Sequence, residues 1–184
     1  MNAIPWSSLL VDERPLSIGR DFEVYAASLG ERRVIVKVAR GDASIEAEAQ
    51  ALERLGGRFA PELIGYTELP GGRRALVRSY VDGVAASTLI ERALIRHRWQ
   101  GARRWNPPTR AFVAALLDAI AYVHERGLVH NDLKPDDIFV SMRPDGTFEV
   151  TLVDLGLAAR AGRGGPGGTV AYAAIGGPTG RVLL

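Results

Sequence analysis

The 184-residue chain contains no cysteine, which excludes disulfide staples and thiolate metal sites. Three histidines leave little material for a zinc site either. There is no apolar run of about eighteen residues or more, so no membrane-spanning segment is expected. The opening Met1-Asn2-Ala3-Ile4-Pro5-Trp6 has neither the basic stretch nor the apolar run of a secretory signal. The expected compartment is therefore the bacterial cytoplasm, or a host cell reached through a specialised export machine that needs no such signal. The scarcest residue for its class is lysine. Of 23 cationic residues only Lys37 and Lys134 are lysine and 21 are arginine, a bias that fits a GC-rich genome. Lysine should then persist chiefly where a compact ammonium cannot be replaced by a planar guanidinium. What remains is globular composition, 47% hydrophobic and 24% charged, with enough length for one ordinary domain or two small lobes.

Residues 15–39 alternate short apolar runs with turn signals, among them Phe22-Glu23-Val24-Tyr25 and Val34-Ile35-Val36-Lys37-Val38. They predict a meander of β-strands. A helix is predicted from Ser44 to Leu55, because Ile45, Ala49, Leu52 and Leu55 recur at helical spacing and Gly56-Gly57 stops it. Strands are expected around 62–66 and 75–81, turning at Pro70-Gly71-Gly72, followed by a helix over 84–94. Arg96 to Arg110 reads as irregular. Thr109 is expected to cap a helix reaching Arg126, with Phe112, Leu116, Ile120 and Val123 on one face and Gly127 as its stop. Strands near 138–142 and 148–153 flank Arg143-Pro144-Asp145-Gly146. The glycine-rich stretch 162–168 reads as a mobile loop. Strands, one helix, two strands, then helices and a hairpin form a segregated α+β pattern rather than an alternating parallel one.

The chemistry-bearing residues follow Val129. His130-Asn131-Asp132-Leu133-Lys134-Pro135-Asp136-Asp137 and, seventeen residues after Asp137, Asp154-Leu155-Gly156 resemble the catalytic and metal-binding loops of protein kinases. Val34-Ile35-Val36-Lys37 resembles the strand lysine of that family, and Glu48 stands where its helix glutamate pairs with that lysine. The resemblance runs from about residue 15 to 174 and falls on both lysines. It implies a bilobal α+β fold: an antiparallel β N-lobe with one helix over 1–82, and a reduced, mainly helical C-lobe over 83–184. It implies ATP and Mg2+ as well. Lys37, oriented by Glu48, would hold the α- and β-phosphates. Asp154 and Asp137 would ligate magnesium, a hard cation that prefers oxygen ligands. Asp132 would act as base at an acceptor hydroxyl, and Lys134 would steady the γ-phosphate, as in the serine/threonine branch. Such residues suit a reaction catalysed mainly by positioning and charge compensation. Gly19 and Val24 belong to a reduced glycine-rich loop, Ser17 to Val24, and Tyr80 and Val81 would offer backbone bonds to adenine. Gly168-Thr169-Val170-Ala171-Tyr172-Ala173-Ala174 resembles the substrate-positioning segment, with Thr169 able to bridge Asp132 and Lys134.

The chain departs from the family pattern in several places. One clear glycine remains in the phosphate loop. Asp137 replaces an asparagine ligand, which a carboxylate can substitute. Asn131 replaces the arginine that receives a phosphorylated activation loop, so switching by that route is not expected. Arg78 occupies the usually apolar gatekeeper position, unless the register is shifted by one. Ala174-Ile175-Gly176 replaces Ala-Pro-Glu, and the later C-lobe helices are absent from the 184 residues. A minimal kinase, a partner covering the reduced C-lobe, and a piece of a longer chain all stay open. The apolar face of the helix at 109–126 would then lack its usual cover.

From Arg92 to Leu117 no acidic residue occurs, and arginines mix with Trp99 and Trp105. Arg92–Arg110 is either an anionic-surface contact or a solvated insertion. The leading expectation is a minimal serine/threonine-type kinase acting on a protein hydroxyl. The alternatives are a small-molecule or lipid-sugar kinase on the same fold, and a pseudokinase that binds without turnover.

Overall fold

One antiparallel sheet organises the first eighty residues. The computed structural model describes residues 2–97 and 107–160, and the chain falls into two units, Met1–Tyr80 and Val81–Leu184. The first unit holds β1 (Leu9–Val11), β2 (Ser17–Ile18), β3 (Phe22–Leu29), β4 (Arg32–Ala39), α1 (Glu46–Leu55), β5 (Leu63–Glu68) and β6 (Arg74–Ser79). Its strand order is β1-β3-β4-β6-β5, with β2 pairing on β3. The β-branched run of β4 suits a central strand, and Val34 through Ala39 are all buried. Val34, Val36 and Val38 share a core with Leu9, Ala27, Leu69, Ala75 and Val77.

Period-2 alternation therefore turns Ile35 and Lys37 to the opposite face, the one that carries α1. Ile45, Ala49, Leu52 and Leu55 are buried at helical spacing, as the sequence predicts, and Gly56 ends α1 at φ 60° with its N–H on the Leu52 carbonyl. Strand β1 is not announced by the sequence: three residues show no period, and pairing with β3 is what makes them a strand. Ahead of it, Ala3 bridges in parallel to Tyr66 on β5, and the Asn2 carbonyl approaches so closely that a Cβ on Gly65 would collide with it.

The second unit holds β7 (Val84–Ala85), α2 (Ala86–His97), α3 (Pro107–Glu125), β8 (Leu128–Val129), β9 (Ile138–Met142), β10 (Phe148–Leu152) and β11 (Ala159–Arg160). Three expectations are corrected here. Val84 and Ala85 pair with β9 instead of opening the helix; Gly83, at φ 138°, lets the backbone press against Val140 where a Cβ would stand 2.8 Å from the carbonyl oxygen. Helix α2 runs on to His97, through the start of the stretch read as irregular. Helix α3 begins at Pro107, so Thr109 lies inside its first turn and does not cap it. A fixed proline φ and a missing N–H suit the first helical position, where the N–H has no partner anyway.

The apolar face of α3 is not bare among the described residues. The helix packs on β10, Phe112 meets Phe148 edge-on at 6.3 Å, and Ala119, Tyr122 and Val123 are buried, while Leu117 stays exposed. The hairpin β9–β10 turns at Arg143–Gly146, with Gly146 at φ 82°. The α+β expectation holds: among the described residues an antiparallel sheet with one α-helix is followed by two α-helices and short antiparallel ladders. No helix among the described residues is long and apolar enough to cross a membrane. The glycine-rich stretch 162–168, Thr169 with its neighbours, and Trp99, Arg103, Arg104 and Trp105 lie outside the described residues.

Candidate active site

In the first unit the site begins as a problem of burial. Lys37 interrupts the apolar run of β4 and is 6% exposed, and a buried ammonium is costly unless it is paired. Its cross-strand neighbours on that face are Val24 on β3 and Leu76 on β6. The partner comes from α1. Glu48 sits one turn after Ile45, on the same face as Ala49 and Leu52, so docking the apolar face of the helix brings the carboxylate down onto the strand. Glu48 Oε2 lies 2.5 Å from Lys37 Nζ, and the Phe22 ring covers the same ammonium at 4.5 Å. Arg78, on β6, directs its Nε toward the other carboxylate oxygen, 3.8 Å from Glu48 Oε1. Removing one partner of such a buried pair typically costs about 3–5 kcal/mol.

Gly19 is exposed in the turn between β2 and β3. Its N–H donates to the Phe22 carbonyl at 2.8 Å, so that amide is committed within the turn. Its φ is not positive, and a Cβ there would meet only the Phe22 carbonyl at 3.4 Å, so the turn itself does not demand glycine. Tyr80 donates its N–H to the Arg33 carbonyl at 3.3 Å, with the Arg33 guanidinium 3.6 Å above its ring. Val81 is half-buried at the start of the second unit.

In the second unit three carboxylates gather at one ammonium. Lys134 Nζ is 2.9 Å from Asp137 Oδ2, 3.4 Å from Asp132 Oδ2 and 4.0 Å from Asp154 Oδ2. Residues the sequence reading left without a role hold the two loops together. His130 is buried and its Nε2 meets the Val153 carbonyl at 3.1 Å; burial lowers its pKa against that bond, so the ring is neutral and Nε2–H donates. Asn131, at φ 65°, donates its amide to the Leu157 carbonyl at 2.9 Å. The Val153 N–H donates to the Asp137 carbonyl at 2.8 Å, and β8 pairs with β11 on either side of both loops. Asp154 takes the left-handed conformation, φ 58° and ψ 57°, which turns the chain just after β10.

Partial burial works against the Lys134 charge, but the close contact with Asp137 and the charges of Asp137, Asp132 and Asp154 outweigh it and hold its pKa above the ordinary value. Burial pushes the Asp137 carboxyl up to about 6 against the pull of Lys134, and Asp154 adds to the rise. The Asp137–Lys134 contact is ionic rather than a directed hydrogen bond.

That shift has a sign that can be measured. Because its pKa is raised on folding, Asp137 binds a proton more readily in the folded chain than in the unfolded one. It favours the fold below its ordinary carboxyl pKa, and this contribution is lost as the pH rises toward about 6. Asp137→Asn cannot ionise. The melting temperature of the variant minus that of the parent, in chelator without nucleotide, should therefore climb between about pH 4 and pH 7. A flat difference would refute the buried-carboxyl account.

Two features were harder to find from the sequence. An arginine inside Ala75-Leu76-Val77-Arg78 needs a partner on burial argument alone, but the strand does not name Glu48. His130 and Asn131 carry no local signal for their carbonyl partners at 153 and 157.

The family profile of the protein kinase domain matches residues 24–175. The chain is 28% identical over 158 residues to serine/threonine-protein kinase pkn2 of Myxococcus xanthus, covering 79% of this chain and 17% of that protein. It is 30% identical over 135 residues to protein kinase PINOID of Oryza sativa subsp. japonica, covering 73% and 26%. It is also 29% identical over 140 residues to probable serine/threonine-protein kinase PknB of Lactococcus lactis, covering 71% and 20%. The matched segments thus span about a quarter or less of these relatives.

Proposed function

Because this chain belongs to the protein kinase domain family, we propose that it transfers the γ-phosphate of ATP to a serine or threonine hydroxyl of a protein, with Mg2+ as cofactor. The observation that carries this reading is the convergence of Asp132, Asp137 and Asp154 on Lys134. Three acids around one ammonium have little structural purpose at a partly exposed loop, but they match a site that must hold a metal, a proton and a transferring phosphoryl group.

Among the described residues no three acidic or histidine side chains form a metal cage by themselves. Magnesium does not require one: it commonly takes one or two carboxylates, with waters and substrate phosphates completing its octahedron. Asp137 and Asp154 fit that role, since both reach the same ammonium and Asp137 has an oxygen not engaged in a directed hydrogen bond. Bound magnesium supplies charge compensation on the phosphates. Lys37, braced by Glu48, holds the α- and β-phosphates, and Lys134 offsets charge at the γ-phosphate. Asp132 orients the acceptor hydroxyl and receives its proton. Val24 packs on the strand face beside Lys37; Tyr80 contributes its carbonyl and Val81 its backbone to the base, and Thr169 positions the acceptor.

A second reading has one observation in its favour. Gly19 spends its N–H inside its own turn, which suits a nucleotide-binding module without turnover. Incubation with γ-labelled ATP, Mg2+ and a panel of protein and small-molecule acceptors separates the cases. Label on serine or threonine supports the proposal, and label confined to a small alcohol moves the substrate class. Bound ATP with no transfer at all supports the binding module.

A further inference from the structure

We propose that Asn131 is a positioning residue: its side-chain amide holds the segment after Asp154 against the loop that carries Asp132, so that the two carboxylates keep one spacing. The roles of those carboxylates rest on the function proposed above; the tie between the loops does not.

The geometry is set by strand register. Leu128 stands opposite Arg160 and Val129 opposite Ala159 in the antiparallel pair of β8 and β11. Carrying that register two residues further sets Asn131 opposite Leu157. The backbone has by then left the strand, since Asn131 is at φ 65°. It is the side-chain amide that reaches the Leu157 carbonyl, at 2.9 Å. The ladder is thus prolonged by a side chain while the main chain turns away toward Asp132. Asparagine suits both tasks, because it tolerates the left-handed region and carries an N–H donor. Glycine would accept the turn but supply no donor.

The bond completes a bracket around the metal loop. His130 meets the Val153 carbonyl one residue before Asp154, and Asn131 takes the Leu157 carbonyl three residues after it. Asp154 itself is exposed and left-handed, while Leu155 beside it is fully buried. The place of the Asp154 carboxylate is therefore set by what holds the loop on either side. Asp132 directly follows Asn131, so one residue fixes both ends of the spacing. Both carboxylates then reach Lys134, Asp132 at 3.4 Å and Asp154 at 4.0 Å.

The test compares the parent with Asn131→Gly and Asn131→Ala. Both variants lose the donor, but only alanine is strained at this φ, so Asn131→Ala should melt lower than Asn131→Gly. The first readout needs neither nucleotide nor metal. Amide hydrogen exchange is followed at Ala158, whose N–H donates to the Leu155 carbonyl at 2.9 Å, and at Val153, whose N–H donates to the Asp137 carbonyl at 2.8 Å. In Asn131→Gly the Ala158 amide should exchange about fivefold faster relative to Val153. A residue that contributes only general stability would leave that ratio unchanged, and this result overturns the proposal. If Asn131→Ala does not fold, Asn131→Gly still decides; if neither folds, position 131 is structural and the proposal fails.

A binding arm tests the consequence for the metal. The Mg2+ concentration that gives half of the ATP-dependent melting shift should rise about tenfold in both variants, although their melting temperatures differ. A metal demand that follows stability instead, spared in Asn131→Gly and raised only in Asn131→Ala, would overturn the positioning role. If the parent itself shows no magnesium-dependent shift, the metal reading of Asp154 fails, and Asn131 stands or falls on the exchange ratio. A changed ratio with unchanged metal demand would keep the tie and overturn its bearing on the metal.

Discussion

Asp154→Asn should abolish the magnesium-dependent part of the stabilisation that ATP gives the parent. At about a hundred times its dissociation constant a ligand stabilises by roughly 2.7 kcal/mol, which for a domain of this size is a shift on the order of 5–10 °C. The parent should show that shift with ATP and Mg2+ and much less with ATP in chelator. Asparagine is the better first substitution because Asp154 sits at φ 58° and ψ 57°, where asparagine is tolerated and alanine is strained by roughly 1–2 kcal/mol. Asp154→Ala should therefore melt a few degrees lower than Asp154→Asn without ligand, yet share its loss of the magnesium response. A full magnesium-dependent shift in both variants would remove Asp154 from the metal site.

The second large effect belongs to Asp132. Asp132→Asn should slow phosphoryl transfer by about 10²-fold or more, the usual contribution of a positioned proton acceptor, with the Mg-ATP melting shift retained. The change is nearly isosteric and removes the charge 3.4 Å from Lys134, leaving that ammonium with Asp137 at 2.9 Å and Asp154 at 4.0 Å. Nucleotide binding and chemistry should thus separate. Transfer at the parent rate would show that Asp132 is not the base. Loss of the binding shift along with transfer would make it part of the nucleotide site instead.

Much of the architecture was open to reading in the sequence, for reasons of local geometry. The run around Lys37 is β-branched, and α1 shows Ile45, Ala49, Leu52 and Leu55 at helical spacing, so backbone periodicity settled both. The ends of elements were less legible. Thr109 has the chemistry of a cap, but Pro107 and Pro108 are pre-set for the first helical turn and started α3 earlier. Val84 and Ala85 are strand only because β9 lies beside them, and β1 is strand only because β3 does. Two- and three-residue strands have no period of their own to detect.

For the candidate site the division lies between residue type and juxtaposition. A sequence with two lysines among 23 cations pointed at Lys37 and Lys134, and the order of acids around them pointed at phosphate chemistry. Those are properties of the chain as written. Only the tertiary structure placed Arg78 against Glu48, thirty residues away, and gathered Asp132, Asp137 and Asp154 at one ammonium through the β9–β10 hairpin and the bonds of His130 and Asn131. The physical reason is range. Backbone periodicity is set by neighbours a few residues apart and can be read along the chain. The surroundings of a buried charge depend on which strand and helix faces close over it, and that is decided only when they pack.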